Sequence, residues 1–294
     1  MDFHTPVLLA EILEILNPQP NQVIVDATLG NGGHTLELLK KKVIVYGIDQ
    51  DPQNLEIASN RVKQAGLSKN FHPIHGNFSD LSQIVNLNIH TKIDSLLLDL
   101  GLSKNQIKSE NRGFSFHDEQ SLDMRLDPNS QSETAENIIN TYSFDQLYEL
   151  FTKYAQEKYS KPLILRIIRQ RQKSPIKTGT RLAEIIKNYY SSQNIPITRI
   201  HPATKIFLAL KMAVNQELPN LISVMNQSLK VVKKSGHVAI ITFHSSEDRL
   251  VKQFIRQQIQ NNTITPLPKR LPSSFEISQN PLSRSSVLRS YTIN

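Results

Sequence analysis

Residues 23–51 read VIVDATLGNGGHTLELLKKKVIVYGIDQD. Val23–Asp26 is a short apolar run that ends in an acid and passes into a glycine turn. A helix-length stretch follows, and then a second apolar run, Val43–Asp49, which again ends in an acid. A strand, a glycine turn and the start of a helix set backbone N–H groups and a helix N-terminus beside a ligand. An acid at the end of the next strand is placed to accept the hydroxyls of a ribose. The stretch therefore predicts a parallel α/β sheet carrying a nucleoside-cofactor site.

The turn narrows the cofactor. A dinucleotide fingerprint needs G-x-G-x-x-G, but Gly30, Gly32 and Gly33 are followed by His34 and Thr35, so the third glycine is missing. Asp26, just before the turn, would repel a diphosphate and suits a cationic amino-acid group. Asp49 lies 19 residues beyond Gly30, near the spacing of a ribose-binding acid. These features favour S-adenosylmethionine over NAD.

With 294 residues the chain is long enough for about two domains with real cores. Its net charge of +8 is unevenly spread. Residues 1–100 hold 7 Lys/Arg against 11 Asp/Glu, whereas residues 151–214 hold 13 against 2. That division points to a polyanion bound by a different part of the chain from the cofactor. No window approaches the length of apolar chain a membrane helix needs, and the N-terminus has neither a basic signal region nor a transit pattern, so the expected location is the cytoplasm, away from membranes. There is no cysteine, which removes disulfides, thiolate metal sites and the nucleophile that methylation of a pyrimidine ring carbon usually requires. The nine histidines show no ligand spacing, so no metal is expected.

Along the chain, Val7–Leu16 predicts a lead-in helix that stops at Asn17-Pro18. Strands follow at Val23–Asp26, Val43–Asp49, Phe71–His75 and Ile93–Asp99, with a helix over Pro52–Gln64. The alternation then breaks into polar loop and helices. It resumes with helices at Ala203–Asn215 and Leu221–Val232, a strand at 237–244, a helix at Glu247–Gln257 and a last strand, Val287–Tyr291. The reading is a doubly wound sheet interrupted between its fourth and fifth strands by a helical insertion: residues 1–105 and 205–294 as the core, 106–204 as a substrate-recognition insert, and a basic tail.

The segments HTPVLLAE, DATLGNGGHT, GIDQDP, HGNFSDL, LLLDLGLS, RGFSF, LDMRLDP, HPATKIFLALKMAVNQEL, FHSSEDRLVK and NPLSRSSVLR stand in the order and at about the spacing of the bacterial small-subunit ribosomal RNA (cytosine-N4)-methyltransferases, the MraW/RsmH family. The chain resembles that family over nearly its whole length. The resemblance implies a Rossmann-like S-adenosylmethionine-dependent methyltransferase with an inserted helical domain. It also implies methyl transfer to the exocyclic N4 of a cytosine near the decoding centre, with ribosomal RNA, free or in the small subunit, as the partner.

The family's cofactor contacts fall on Gly32, Gly33, His34, Asp49, Phe78, Asp99 and Gln106. Phe78 can cover an adenine ring, and Asp99 ends the fourth strand at the edge where open α/β sheets bind ligands. Transfer to an amine needs an in-line approach, exclusion of water and an acceptor for an amine hydrogen, for which Asp99, a backbone carbonyl or Ser103 are the candidates. Arg112, Phe114 and Phe116 of RGFSF alternate as phosphate and stacking groups would. Arg166, Arg169 and Arg171 offer a basic helix face to RNA. The chain departs from the family pattern at Lys104 and Asn105, Ala155 and Gln156, Leu208 and Lys211, and Ser246.

Three rival readings carry specific costs. A DNA amino-methyltransferase would show an (N/D/S)PP(Y/F) loop where LSKNQ stands. A nicotinamide oxidoreductase needs the missing glycine. A hydrolase built on FHSSED lacks a G-x-S-x-G elbow, and Ser245, Ser246, Glu247 and Asp248 read there as a helix cap and acidic first turn.

Overall fold

The structure is a computed structural model and describes residues 6–103, 105–106, 112–195 and 201–294. Lys104, one of the departures from the family pattern, and the first residues of HTPVLLAE lie outside the described residues. The chain divides into two compact units, residues 1–103 with 218–294, and residues 104–217.

The first unit is built on a seven-stranded sheet in the order β3-β2-β1-β4-β5-β7-β6. Its strands are β1 (Val23–Asp26), β2 (Ile44–Asp49), β3 (Phe71–His75), β4 (Ile93–Asp99), β5 (Val232–Thr242), β6 (Ile264–Pro266) and β7 (Val287–Ile293). The first five run parallel, and β7 lies antiparallel between β5 and β6. Strands buried on both faces must be apolar at every position, which is why IDSLLLD reads as a continuous run. Leu96 and Leu98 pack with α4 (Leu81–Asn88), α10 (Glu217–Val231) and α11 (Ser245–Gln260). Leu97, between them, faces α1 (Leu9–Leu16), α2 (Gly33–Leu39) and α3 (Pro52–Gln64). Each leucine is fully buried and contributes about 2 kcal/mol of hydrophobic stabilisation.

The chain winds outward from β1 through β2 to β3, then returns to place β4 on the other side of β1. The order therefore reverses between β1 and β4, and in such sheets ligands bind outside the carboxyl ends of the strands at that point. Asp26, Asp49 and Asp99 are the last residues of β1, β2 and β4.

The second unit is helical: α5 (Ala135–Thr141), α6 (Phe144–Lys153), α7 (Ser160–Arg171), α8 (Gly179–Ser192) and α9 (Thr204–Val214) surround one core that includes Phe151, Ile164, Ile186 and Leu210. α9 was expected in the second part of the core domain, after a boundary at 204. Its buried residues Ile206, Phe207, Ala209 and Leu210 instead complete the helical core, so the unit runs to Glu217. Two further elements escaped the sequence reading. β6 has only three residues, and α12 (Ser274–Gln279) buries no residue and so has no apolar stripe.

Candidate functional site

The turn after β1 needs its glycines for two reasons. Gly30 and Gly32 have φ of 50° and 72°, in the left-handed region that suits residues without Cβ. At Gly32 a Cβ would meet that of Ala58 at 3.0 Å, and at Gly33 it would lie 2.9 Å from Pro6 Cγ, so helix and turn close on each other. The turn is fixed to β2 by the Gly30 amide, which donates to Asp49 Oδ2 at 2.8 Å.

Asp49 also accepts from the Asp51 amide at 2.8 Å and from Asn54 Nδ2 at 3.0 Å. Burial pushes its pKa up to about 6 against the lowering effect of those three donors. In GIDQDP the two acids thus divide the work. Asp49 closes the strand, and Asp51 caps α3, accepting from the Gln53 amide at 3.0 Å just before Pro52 at the first helical position. Asn54, which the sequence reading did not single out, continues the chain of contacts: its Oδ1 accepts from Ser103 Oγ at 3.0 Å. The only sequence signal for it was a polar residue at an inward position in the first turn of α3.

Asp26 accepts from Thr35 Oγ1 at 2.7 Å and is nearly fully buried, which raises its pKa to about 6. Asp99 lies beyond it at the end of β4. A quarter of the Asp99 side chain is exposed, yet Oδ1 is enclosed and has no hydrogen-bond partner among the described residues. Burial first, and then the charges of Asp26 and Glu247, push Asp99 up to about 8. His34 Nδ1 stands 3.6 Å from Asp99 Oδ2, while its Nε2 is 3.0 Å from the Val7 carbonyl. Burial lowers the His34 pKa to about 4, so the ring is neutral. Nε2–H then donates to Val7 and Nδ1 is an acceptor, which makes the approach to Asp99 no ion pair; 3.6 Å is also too long for a hydrogen bond.

Glu247 adds a fourth acid. It is buried and accepts from the amides of Phe243 and His244 at 2.9 and 3.1 Å, so FHSSED is a helix start, as its acidic first turn suggests, with the cap at His244 and not at a serine. Phe78 begins a short turn of helix after β3, with Asn77 capping it, and packs half-buried against the sheet core. Gln106 is buried and belongs to the helical unit.

These residues fit S-adenosylmethionine. Asp26, Asp49 and Asp99 gather at the reversal point, and burial raises the pKa of each. A carboxyl group held this way is stabilised as an anion when a cation arrives, and the unpartnered Asp99 Oδ1 is the acceptor that waits for a donor. The sulfonium and ammonium groups of S-adenosylmethionine supply positive charge, and its ribose supplies hydroxyls for Asp49.

In the helical unit the structure separates the proposed RNA contacts. Arg112 donates to the carbonyls of Arg125 and Leu126, both at 2.9 Å, and covers the Phe114 ring at 5.4 Å. Phe116 stacks on His201 at 4.8 Å and meets Phe207 edge-on at 5.2 Å. RGFSF therefore stitches the unit to the LDMRL segment and its core, and its alternation of Arg and Phe reflects packing inside the unit. Arg171 turns inward, donating to the carbonyls of Ile139 and Tyr142 at 2.6 and 2.7 Å. Arg166 and Arg169 point outward and are exposed. No helix among the described residues is long and apolar enough to cross a membrane.

The model of the MraW methylase family matches residues 1–293. The chain is 39% identical to ribosomal RNA small subunit methyltransferase H of Syntrophotalea carbinolica, covering 97% of this chain and 96% of that protein. It is 40% identical to the protein of the same name from Deinococcus radiodurans, covering 97% and 88% of the two chains. Among solved structures, a candidate rRNA methylase from Clostridium thermocellum superposes with a TM-score of 0.50 at 9% identity, over 99% of this chain and all of that one, a likeness of fold. The chain belongs to the MraW methylase family and is an S-adenosylmethionine-dependent methyltransferase.

Proposed function

We propose that this methyltransferase modifies small-subunit ribosomal RNA at the exocyclic N4 of a cytosine near the decoding centre. Its relatives carry the name of small-subunit ribosomal RNA methyltransferases. The observation that carries the reading is the group of raised-pKa acids Asp26, Asp49 and Asp99 around the glycine turn, within a chain that has no cysteine. Such a site suits a cationic methyl donor. The lack of a thiol argues against the covalent route to a ring carbon, and between exocyclic nitrogen and a ribose oxygen it is the family resemblance that names the nitrogen.

In this reading Gly32, Gly33, His34, Asp49, Phe78 and Asp99 hold the cofactor. S-adenosylmethionine, when bound, supplies a methyl carbon already activated for attack by nitrogen. Asp49 takes the ribose, and Phe78 offers a ring to the adenine. Asp99 accepts an N–H of the target amine through Oδ1 and so turns the nitrogen lone pair toward the methyl group. The Ser103 hydroxyl already gives its proton to Asn54, so any part it plays at the amine is as an acceptor. The base must leave its stack to reach the site, which suits an unpaired position in RNA.

The helical unit docks the RNA through Arg166 and Arg169, whereas Arg112, Phe114, Phe116 and Arg171 shape the unit. The test is mass spectrometry of nucleosides from small-subunit RNA treated with the enzyme. N4-methylcytidine is the expected product. 5-Methylcytidine or a 2′-O-methyl nucleoside would overturn the assignment.

A further inference from the structure

On the surface of the helical unit, α7 and α8 leave a groove of about 230 Å³ between them. Pro162, Leu165, Arg166 and Arg169 line it from α7, at spacings that put all of them on one helix face. Tyr189, Ser192 and Gln193 line it from α8, again on one face. The geometry points to a subsite for one unstacked nucleotide of single-stranded RNA, the base lying against Leu165 and Tyr189 and the flanking phosphates meeting Arg166 and Arg169. The inference deepens the proposed docking of RNA by this unit and rests on it.

The groove differs from an ordinary solvated helix face. Leu163, Ile164 and Ile167 already fill the core side of α7, so Leu165, 47% exposed, contributes nothing there. A single exposed leucine needs no explanation, but here it sits in a concave strip with a proline, the edge of a tyrosine and two arginine stems. Tyr189 is held in place by the neighbouring Tyr190 ring, edge-on at 5.8 Å. Tyr189 is buried in the helical core and offers only its edge, so the stacking surfaces are the planar guanidinium groups of Arg166 and Arg169, on which unpaired bases lie.

The charge favours a polyanion. Among the described residues no carboxylate lies within ion-pair distance of Arg166 or Arg169, in contrast to Arg181, which pairs with Glu184 at 3.4 Å, and to the inward-turned Arg171. The surrounding stretch, residues 151–214, holds 13 basic side chains against 2 acidic. Gln193 supplies an amide at the rim, and Ser192, whose hydroxyl donates to the Tyr189 carbonyl at 2.8 Å, supplies an acceptor oxygen; both can bond a base edge without selecting one base strongly. A duplex offers its phosphates to the arginines but keeps its bases stacked inside, so the groove distinguishes single from double strands.

The chain contains no tryptophan, so Leu165→Trp places a lone reporter in the groove without touching the core. Titrating the full-length variant with a ten-nucleotide oligocytidine should quench its emission saturably. A duplex of the same length should quench at least tenfold more weakly. In the parent background Ser192→Trp plugs the groove and keeps its charge. It should lower single-strand affinity about tenfold, the size of one lost stacking contact, with the salt slope unchanged. Arg166→Ala with Arg169→Ala should flatten the salt slope by roughly 0.7 per lost contact. Matching melting curves exclude misfolding. If the arginine variant weakens binding while Ser192→Trp does not and no quenching occurs, the groove is not a nucleotide subsite, though docking by this face stands. If neither variant weakens binding, both readings fall. Quenching by a polyglutamate peptide and not by RNA would make the groove a site for acidic protein segments and overturn the proposal.

Discussion

The Gly30 amide donates to Asp49 Oδ2 at 2.8 Å, so the turn that opens α2 and the acid that ends β2 are one hydrogen-bonded structure. With the Asp51 amide and Asn54 also donating to it, Asp49 has most of its lone-pair positions filled from the protein side and is held rigidly toward the strand ends. Asp49→Ala should lower S-adenosylmethionine affinity by roughly 1–3 kcal/mol, the range for hydrogen bonds to a charged acceptor. Asp49→Asn keeps one acceptor oxygen and should fall between the parent and the alanine variant. Calorimetry showing equal affinity in all three proteins would leave Asp49 as a turn anchor with no ribose to hold.

Asp99 and His34 give the site opposite pH signatures. In the cofactor-free protein Asp99 keeps its proton up to about pH 8, whereas in the unfolded chain it loses it near 3.8. The folded state therefore binds more protons between those values, and this contribution to stability is lost as pH rises through 8. Asp26 and Asp49, raised to about 6, act the same way at lower pH. His34, lowered to about 4, does the reverse: its contribution is present above 6.5 and is lost as pH falls through 4. Between about 6.5 and 8 Asp99 acts alone. A cationic ligand that ionises Asp99 must then expel its proton. Calorimetry near pH 7 in buffers of different ionisation enthalpy should detect proton release on binding S-adenosylmethionine, less with the uncharged thioether product, and none with Asp99→Asn. A binding heat that does not depend on buffer would show that no cation reaches this carboxyl group.

The parts of the molecule legible in the sequence were those whose cause is local. β4 read correctly because a strand covered on both faces has only apolar positions, and α3 because Asp51-Pro52 is a complete start signal. Asp49 and Asp99 stood out as acids at strand ends. What stayed hidden depends on partners far along the chain. Nothing in RGFSF announces that Arg112 will meet the carbonyls of Arg125 and Leu126, or that Phe116 will pack on Phe207. Arg171 looked like its neighbours because helical spacing alone leaves its exposure undecided; the open carbonyls at the C-terminal end of α5 took it inward. α9 was misplaced for the same reason, since its apolar residues suit either core.

The three arginines of α7 should separate by experiment. Arg171 binds the carbonyls of Ile139 and Tyr142 at the C-terminal end of α5, where a cation also meets the negative end of the helix dipole. Arg171→Ala should destabilise the protein by about 2 kcal/mol and lower its melting temperature, with the salt slope of RNA binding unchanged. The Arg166 and Arg169 double variant should melt with the parent and lose RNA affinity. Loss of affinity by Arg171→Ala at temperatures where it is fully folded would put that residue back among the docking groups.

Gly113 gives the sharpest test of RGFSF as a structural device. Its φ is 75°, and an added Cβ would lie 2.6 Å from the Asp123 amide nitrogen and 2.7 Å from Leu122 Cα. Both obstacles are backbone and cannot swing away. The Gly113 amide donates to buried Asp118 Oδ2 at 2.7 Å, and the Met124 amide returns to the Arg112 carbonyl at 2.7 Å, so the two segments are sewn together on either side of the glycine. Gly113→Ala must therefore push the Leu122–Met124 backbone away or break these bonds, at a cost of several kcal/mol. The helical unit should melt early or become sensitive to protease, while the sheet unit, whose cofactor acids lie elsewhere, should still bind S-adenosylmethionine within a few fold of the parent. If Gly113→Ala leaves the melting curve and protease pattern of the parent intact, the loop does not pack as closely as this, and Arg112, Phe114 and Phe116 are again open to act as the phosphate and stacking groups that their alternation suggests.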